Sequence, residues 1–215
     1  MVTRRWWVPF ASVALLLALL RASVVPVEAA DPLRVLLLVD SSTNMSGMIT
    51  EFRSGLHTFI DEVPPDVEIV MVSTGGQLRV RVPPTLDRKT LHDAASRFAS
   101  DGGANSLIDT LVESDQRFLR SARDRRAAIV VLTTDPPALG DPPLDRYNRF
   151  VQDFLRRRGR AHGIVIRNAA QYTGLASAIL DNLTGNTDGV LTILAVGNSL
   201  STRMREMAEQ VAAQN

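Results

Sequence analysis

The sequence has no cysteine among its 215 residues. Disulfide bracing is therefore excluded, and the fold must be held by a hydrophobic core, with a bound ion as the other available support. A charge surplus is lacking too. The formal balance is +1, and the first 29 residues contribute +2 through Arg4, Arg5, Arg21 and Glu28, which leaves 21 basic against 22 acidic residues, or −1, in the rest. No global field would draw such a chain onto nucleic acid or an anionic membrane. Lysine is nearly absent, with Lys89 alone, a bias that coding composition explains as well as any binding role. There is no Gly-x-Ser-x-Gly elbow, no Gly-x-x-x-x-Gly-Lys-Ser/Thr phosphate loop and no His-Glu-x-x-His helix, and Gly102-Gly103 is too short for a dinucleotide fingerprint. No internal repeat or low-complexity tract interrupts the chain. What is present is an ordinary globular mix, 45% hydrophobic and 22% charged, enough for one α/β domain around one core.

Residues 1–29 read as an export signal. Arg4 and Arg5 form a short basic region, Val8 to Leu20 an apolar one, and Val27-Glu28-Ala29 the small-x-small pattern that precedes a cut. The mature chain is expected to begin near Ala30 and to be secreted or periplasmic. The apolar run falls short of the ~20 residues of a membrane span; left uncleaved, it would anchor the domain to a membrane. Thr3-Arg4-Arg5-Trp6-Trp7 shares the paired arginines of a twin-arginine signal, and the match ends there.

From Leu33 onward, apolar runs alternate with helical stripes. Val35 to Val39 is a buried strand ending in Asp40-Ser41-Ser42-Thr43-Asn44. Met48, Phe52, Leu56, Phe59, Ile60 and Val63 share a helical face that Pro64-Pro65 terminates. Val67–Val72 and Gln77–Val82 read as strands joined by a hairpin at Gly75-Gly76. Helices are expected over Leu86–Phe98 and from Leu107, the latter after the turn-rich loop Asp101-Gly102-Gly103-Ala104-Asn105-Ser106. Ala127–Leu132 is a second strongly apolar run, ending in Thr133-Thr134-Asp135. Pro136-Pro137 and Pro142-Pro143 make the next loop stiff. A helix over Leu144–Leu155 follows, with Arg156-Arg157-Arg158 as a solvated end that complements the macrodipole. His162–Ile166 and Val190–Val196 are further strands, and Gly174–Leu183 and Ser201–Ala213 further helices.

Strands apolar on both faces, alternating with amphipathic helices, predict a doubly wound α/β fold: a mostly parallel central sheet with helices on both faces. Ligands in such sheets sit outside the carboxyl ends of the strands, where the strand order reverses. Asp40 and Asp135 each end an apolar strand, so both carboxylates are expected at that edge, with the Gly102-Gly103 loop beside them. Carboxylates, hydroxyls and amide oxygens gathered there are hard ligands for Mg²⁺, Mn²⁺ or Ca²⁺.

On these residues the chain from about Leu33 to its C-terminus, residues 33–215, resembles a von Willebrand factor type A domain of the exported bacterial kind. That family builds a metal-ion-dependent adhesion site from Asp-x-Ser-x-Ser after the first strand, a threonine from a Gly-Gly-Thr loop, and a later strand-terminal aspartate. The resemblance implies metal ligation by Asp40, Ser42, Asn44 and Asp135. It is a partly degenerate version: Asn44 stands for the second serine, Ala104 for the threonine, and Pro136 for the glycine that often follows the last aspartate. The implied cofactor is Mg²⁺ or Mn²⁺, with Ca²⁺ as an alternative. The implied function is a non-catalytic module that engages a protein or peptide partner, whose carboxylate completes the ion's shell.

Local structure accounts for the same residues. Asp40 and Asp135 suit backbone N–H groups in strand-to-helix loops, and Ser42, Thr43 and Asn44 suit a helix cap. Two other functions compete: an interaction domain of the same fold without metal, and a metal-assisted hydrolase or phosphoryl-transfer enzyme with Asp40 as nucleophile, for which no acid, base or phosphate cradle is recognisable. His57, His92 and His162 read as surface or packing residues, and Asp101 and Asp109 as turn and helix-surface residues. Asn105 and Ser106 would reach the site only by a shift of their loop.

Overall fold

The computed structural model describes residues 32–135, 143–167 and 174–214. The expected export signal over residues 1–29 lies outside them, as do Pro136, Pro137 and Pro142. None of the described helices is long and apolar enough to cross a membrane.

Among the described residues there are six strands and six α-helices, mostly alternating. The strands are β1 (Leu33–Val39), β2 (Glu68–Ser73), β3 (Arg79–Thr85), β4 (Arg126–Thr134), β5 (Arg160–Ile166) and β6 (Leu191–Leu194). The helices are α1 (Ile49–Glu62), α2 (Arg88–Ser96), α3 (Leu107–Ser114), α4 (Leu144–Arg156), α5 (Leu175–Asn186) and α6 (Leu200–Ala212). A 3₁₀ turn, Thr43–Met48, precedes α1, and a π-helical turn, Asp115–Leu119, continues α3. The sheet order is β3-β2-β1-β4-β5-β6, with every pairing parallel except β2 with β3. This is the expected doubly wound architecture, and its order reverses at β1, between β2 and β4.

Both faces of the sheet are covered, which is why its strands do not alternate in polarity. On β1, Val35, Leu37 and Val39 pack into a layer with α1, α2 and α6, while Leu36 and Leu38 pack into a layer with α3, α4 and α5. β4 divides in the same way, Ala128, Val130 and Leu132 to the first layer and Ile129 and Val131 to the second. Each such Leu, Val or Ile gains roughly 1.5–3 kcal/mol from burial, so the central strands anchor both layers. The hairpin strand β3 is more exposed and carries Pro83 and Pro84, residues that an edge strand tolerates because one side of its ladder is unpaired.

Local signals set the boundaries. α1 ends at Glu62 because Val63, the residue before Pro64, is held extended at φ −69°, ψ 133°. α2 starts at Arg88, two residues later than the expected Leu86, because the Asp87 carboxylate accepts the N–H groups of Lys89 and Thr90 and so caps the helix there.

His162 packs inside the sheet, 1% exposed on β5. The Val190 N–H donates to its Nδ1 at 3.2 Å, which places the ring proton on Nε2. Burial first, and then the charge of Arg160, push its pKa down to about 4. Protonation would strand a charge in the core and break the Val190 bond. Because the folded pKa lies below the unfolded value of about 6.5, the unfolded chain takes up the proton first. The stability contributed by neutral His162 is complete above about pH 6.5 and is lost as pH falls toward 4, up to ~3 kcal/mol in all. Urea unfolding of the wild type between pH 7 and pH 4.5 should show this loss, and the slope should flatten in His162→Gln.

Candidate functional site

Asp40 follows β1 at the reversal of strand order and is completely buried. Its N–H donates to the Leu132 carbonyl at 2.8 Å, extending the β1–β4 ladder by one step. Its Oδ1 accepts the Ser42 N–H at 2.8 Å. Its Oδ2 accepts the Thr134 N–H at 3.0 Å, the Thr134 hydroxyl, and the Asn105 side-chain amide at 3.2 Å. One carboxylate thus ties the ends of β1 and β4 to the Gly102-Gly103 loop.

Asn105 needs no shift of its loop to reach the site. Its Nδ2 also donates to Thr133 Oγ1 at 2.7 Å, and its Oδ1 accepts from Thr74 Oγ1 at 2.8 Å. The amide orientation follows from chemistry, since a carboxylate only accepts and must face the NH₂ group. Backbone pairing keeps the loop in register: Ser106 N–H to Thr74 O at 3.0 Å and Gly76 N–H to Ala104 O at 2.8 Å. Gly102 and Gly103 turn it through positive φ, +79° and +71°, where a side chain would be strained. Ala104 itself is exposed.

Asp135 lies at the end of β4, beside Thr134, and its carboxylate is turned onto the start of α5. Oδ1 accepts from Ala176 N at 3.1 Å and Ser177 N at 3.3 Å, while Oδ2 accepts from Gly174 N at 3.0 Å and from the Ser177 hydroxyl. These are the unpaired N–H groups of a helix start, and an anion there also complements the macrodipole. Gly174 has no side chain with which to cap, and a Cβ on it would stand 2.2 Å from Asp135 Oδ1. Glycine at that point is what admits the carboxylate.

Ser42 behaves differently. It precedes the 3₁₀ turn but makes no side-chain cap, contrary to the capping alternative. Its Oγ is buried and has no hydrogen-bond partner. Asn44 is exposed in that turn. Each carboxylate offers about four lone-pair sites. Both carboxylates accept four hydrogen bonds, two on each oxygen of Asp135 but three on Oδ2 and one on Oδ1 of Asp40, so Oδ1 of Asp40 is the oxygen with capacity left. Ser42 Oγ and Asp40 Oδ1 are the buried oxygens this edge leaves available to an oxygen-seeking cation, while Asn44 is exposed and Asp135 is committed to α5. Among the described residues no three His, Cys, Asp or Glu side chains converge as ligands.

A second carboxylate holds the neighbouring loop. Asp101, expected to be a plain turn residue, has a side chain only 6% exposed and pairs with Arg79 at 2.8 Å and with Arg81. It also accepts from Ser41 Oγ at 2.7 Å and Ser73 Oγ at 3.1 Å. Burial pushes its pKa up, but the Ser41 hydroxyl, the Arg81 guanidinium and the Ser73 hydroxyl together hold it below the ordinary carboxylate value. Only the alternating arginines Arg79 and Arg81 hint at this partner in the sequence. Asp109 is a surface residue as expected, paired with Arg146 at 2.6 Å. The half-buried His57 and His92 stack across α1 and α2, with Nδ1 atoms 2.7 Å apart, and do not approach the site residues.

Removal of the Asn105 amide leaves Asp40, Thr133 and Thr74 each short of a bond in a largely buried site. Asn105→Ala should cost about 2–3 kcal/mol in chemical denaturation. Asn105→Asp should cost at least as much at neutral pH, since it faces Asp40 with a second carboxylate.

The comparisons with known proteins agree with this fold. Residues 35–138 match the model of the von Willebrand factor type A domain. Among solved structures, the von Willebrand factor type A protein from Catenulispora acidiphila superposes with a TM-score of 0.70 at 17% identity, over 85% of this chain and 43% of that one. BatB from Bacteroides thetaiotaomicron matches with a TM-score of 0.63 at 13% identity, over 84% of this chain and 99% of that one. Proximal thread matrix protein 1 from the mussel byssus, solved with a zinc-occupied adhesion-site motif, matches with a TM-score of 0.66 at 13% identity, over 83% of this chain and 45% of that one. This chain thus spans less than half of the first and third of these proteins. No curated protein matches it by sequence. At such identities the structural matches establish the fold, and the family match covers residues 35–138, just under half of the chain: over that stretch the sequence is similar to a von Willebrand factor type A domain.

Proposed function

We propose that this domain is an exported, non-catalytic binding module that engages a protein or peptide partner at the carboxyl edge of its sheet through a divalent cation. Domains of this type are generally interaction modules. The observation that carries the reading is Ser42: a hydroxyl buried without a partner, beside a carboxylate that still has an acceptor site open. Leaving such a group unsatisfied costs about 1–3 kcal/mol, a cost that ligation by a cation would offset.

Asp40, Ser42 and Asn44 would hold Mg²⁺ or Mn²⁺, with Ca²⁺ as the alternative. Asp135 would join by giving up one of its α5 bonds. Ala104 contributes no oxygen, so water would take that place and affinity should be modest. The bound ion would supply a concentrated positive charge for a partner's carboxylate. The zinc-occupied adhesion-site motif of the mussel protein supports the view that this fold accommodates an ion.

A metal titration with a chelator control tests the reading. At tenfold excess over the dissociation constant, binding adds about 1.4 kcal/mol, or roughly 3–5 °C in the thermal midpoint of a domain this size. Ser42→Ala separates ligation from folding because that hydroxyl makes no bond to lose. The variant should be as stable as the wild type or more so without metal, yet lose most of the metal-induced shift. An unchanged wild-type midpoint at millimolar Mg²⁺ and Mn²⁺ would count against the site. Export makes a separate prediction: mass spectrometry of protein recovered from a secreting bacterial host should find the N-terminus near Ala30.

A further inference from the structure

The opposite edge of the domain carries a different feature. A cavity of about 220 Å³ between α3 and α4 is lined by Arg120, Arg146 and Arg149 with Asp115 and Asp153, over Val112 and Phe150. Arg120 and Asp153 also line a larger groove of about 540 Å³ at the start of β4, where Arg123, Arg125, Arg156 and Arg157 stand over Leu119, Ala122 and Ala127. The shared residues join the two into one trough. Seven arginines against two aspartates give its lining a surplus of +5, one of which Asp109, bonded to Arg146 from outside the lining, offsets. With the whole chain at +1, every other residue together sums to −4. The near-neutral total conceals a strongly segregated charge.

The trough is ordered from within. Asp115, held in the π-helical turn, accepts Arg157 at 2.7 and 2.8 Å, and Arg157 lies over the Phe154 ring with its guanidinium carbon 5.5 Å from the centroid. Asp153 accepts both Arg120 and Arg156. Two carboxylates thus position three guanidinium groups and neutralise only part of their charge. Arg125 stands 3.7 Å from Glu68 and 4.0 Å from Asp124, distances too long for hydrogen bonds. Arg123 and Arg149 make no ion pair among the described residues. Guanidinium groups held in place lose less freedom on meeting a carboxylate, and their fork matches its two oxygens.

We infer that this arginine-lined trough is a second binding site, distinct from the carboxyl edge, for an acidic peptide segment of a partner protein in which Glu or Asp alternates with apolar side chains. The apolar floor selects this occupant. An inorganic polyanion would gain nothing from Val112, Phe150 or Leu119, whereas a peptide with apolar residues between its carboxylates buries them there. The run Arg156-Arg157 thereby becomes part of a recognition surface as well as a helix end.

The test is fluorescence anisotropy of the full chain with a labelled Glu-Leu repeat peptide, in chelator so that the carboxyl edge holds no cation. Binding should appear at 50 mM salt, weaken at least tenfold by 300 mM, and fall at least tenfold in Arg123→Glu/Arg149→Glu/Arg156→Glu. Those three positions are chosen because Arg123 and Arg149 are exposed and unpaired, and Arg156 is 74% exposed, so the fold should tolerate them. Reversal of Arg97, just past α2, and Arg205, on α6, both on the other layer, should change affinity less than twofold. Absence of peptide binding, equal loss in the Arg97/Arg205 control, or binding of polyphosphate or phosphatidylglycerol vesicles in place of the peptide would each overturn the inference.

Discussion

The buried Asp40 carboxylate is the constraint on which the carboxyl edge depends. Taking a carboxylate wholly out of water costs several kcal/mol unless hydrogen bonds replace its hydration. Here the replacements come from three places far apart in sequence: Ser42 in its own loop, Thr134 at the end of β4, and Asn105 beyond the Gly102-Gly103 turn. The carboxylate therefore dictates where those segments lie. The loop after β1, the end of β4 and the loop beyond the Gly-Gly turn are held together because each supplies part of what one buried charge requires.

Asp101 repeats this arrangement one loop away. It draws Ser41, Ser73 and the β3 arginines Arg79 and Arg81 onto a single side chain. Ser41 also holds the end of β2, since its Oγ accepts the Gly75 N–H at 2.9 Å. The residues that flank Ser42 are thus fixed from two sides. Against this background the unpartnered Ser42 hydroxyl stands out: loose loops leave polar atoms to water, whereas this loop is fully braced and still leaves one buried oxygen unserved.

The fold was legible in the sequence because its signals are local. Apolar runs on β1 and β4, helical stripes on α1 and α4, and Pro64-Pro65 each act within a window of a few residues. Asp40 and Asp135 could be assigned to one edge because strand ends and the reversal of strand order follow from topology alone. The direction of each side chain did not follow. Asp135 turns to α5 because Gly174, 39 positions later, leaves room for it. Asn105 reaches Asp40 because the β2 end and the Gly-Gly turn fix its register, and nothing in the run Ala104-Asn105-Ser106 encodes that distance. The stacking of His57 on His92 depends on how α1 and α2 pack, and the Asp115–Arg157 pair spans 42 positions. Interactions that depend on packing between elements are invisible to periodicity.

The charge distribution carries the same lesson to the scale of the domain. A net charge near zero excludes a global field, yet it is silent about local ones. β4 runs from the arginine trough beside Arg125 to the acidic edge at Asp135, nine strand residues, or about 30 Å at ~3.3 Å per residue. Screening in physiological salt acts over roughly 8 Å, so neither end sees the other's charge. The sheet thus separates two sets of opposite sign by several screening lengths, so each proposed site would meet its ligand as if the other were absent. A partner carboxylate attracted to one edge gains nothing from the charge at the other, so occupancy of the two sites is electrostatically independent unless a single partner is long enough to bridge the sheet.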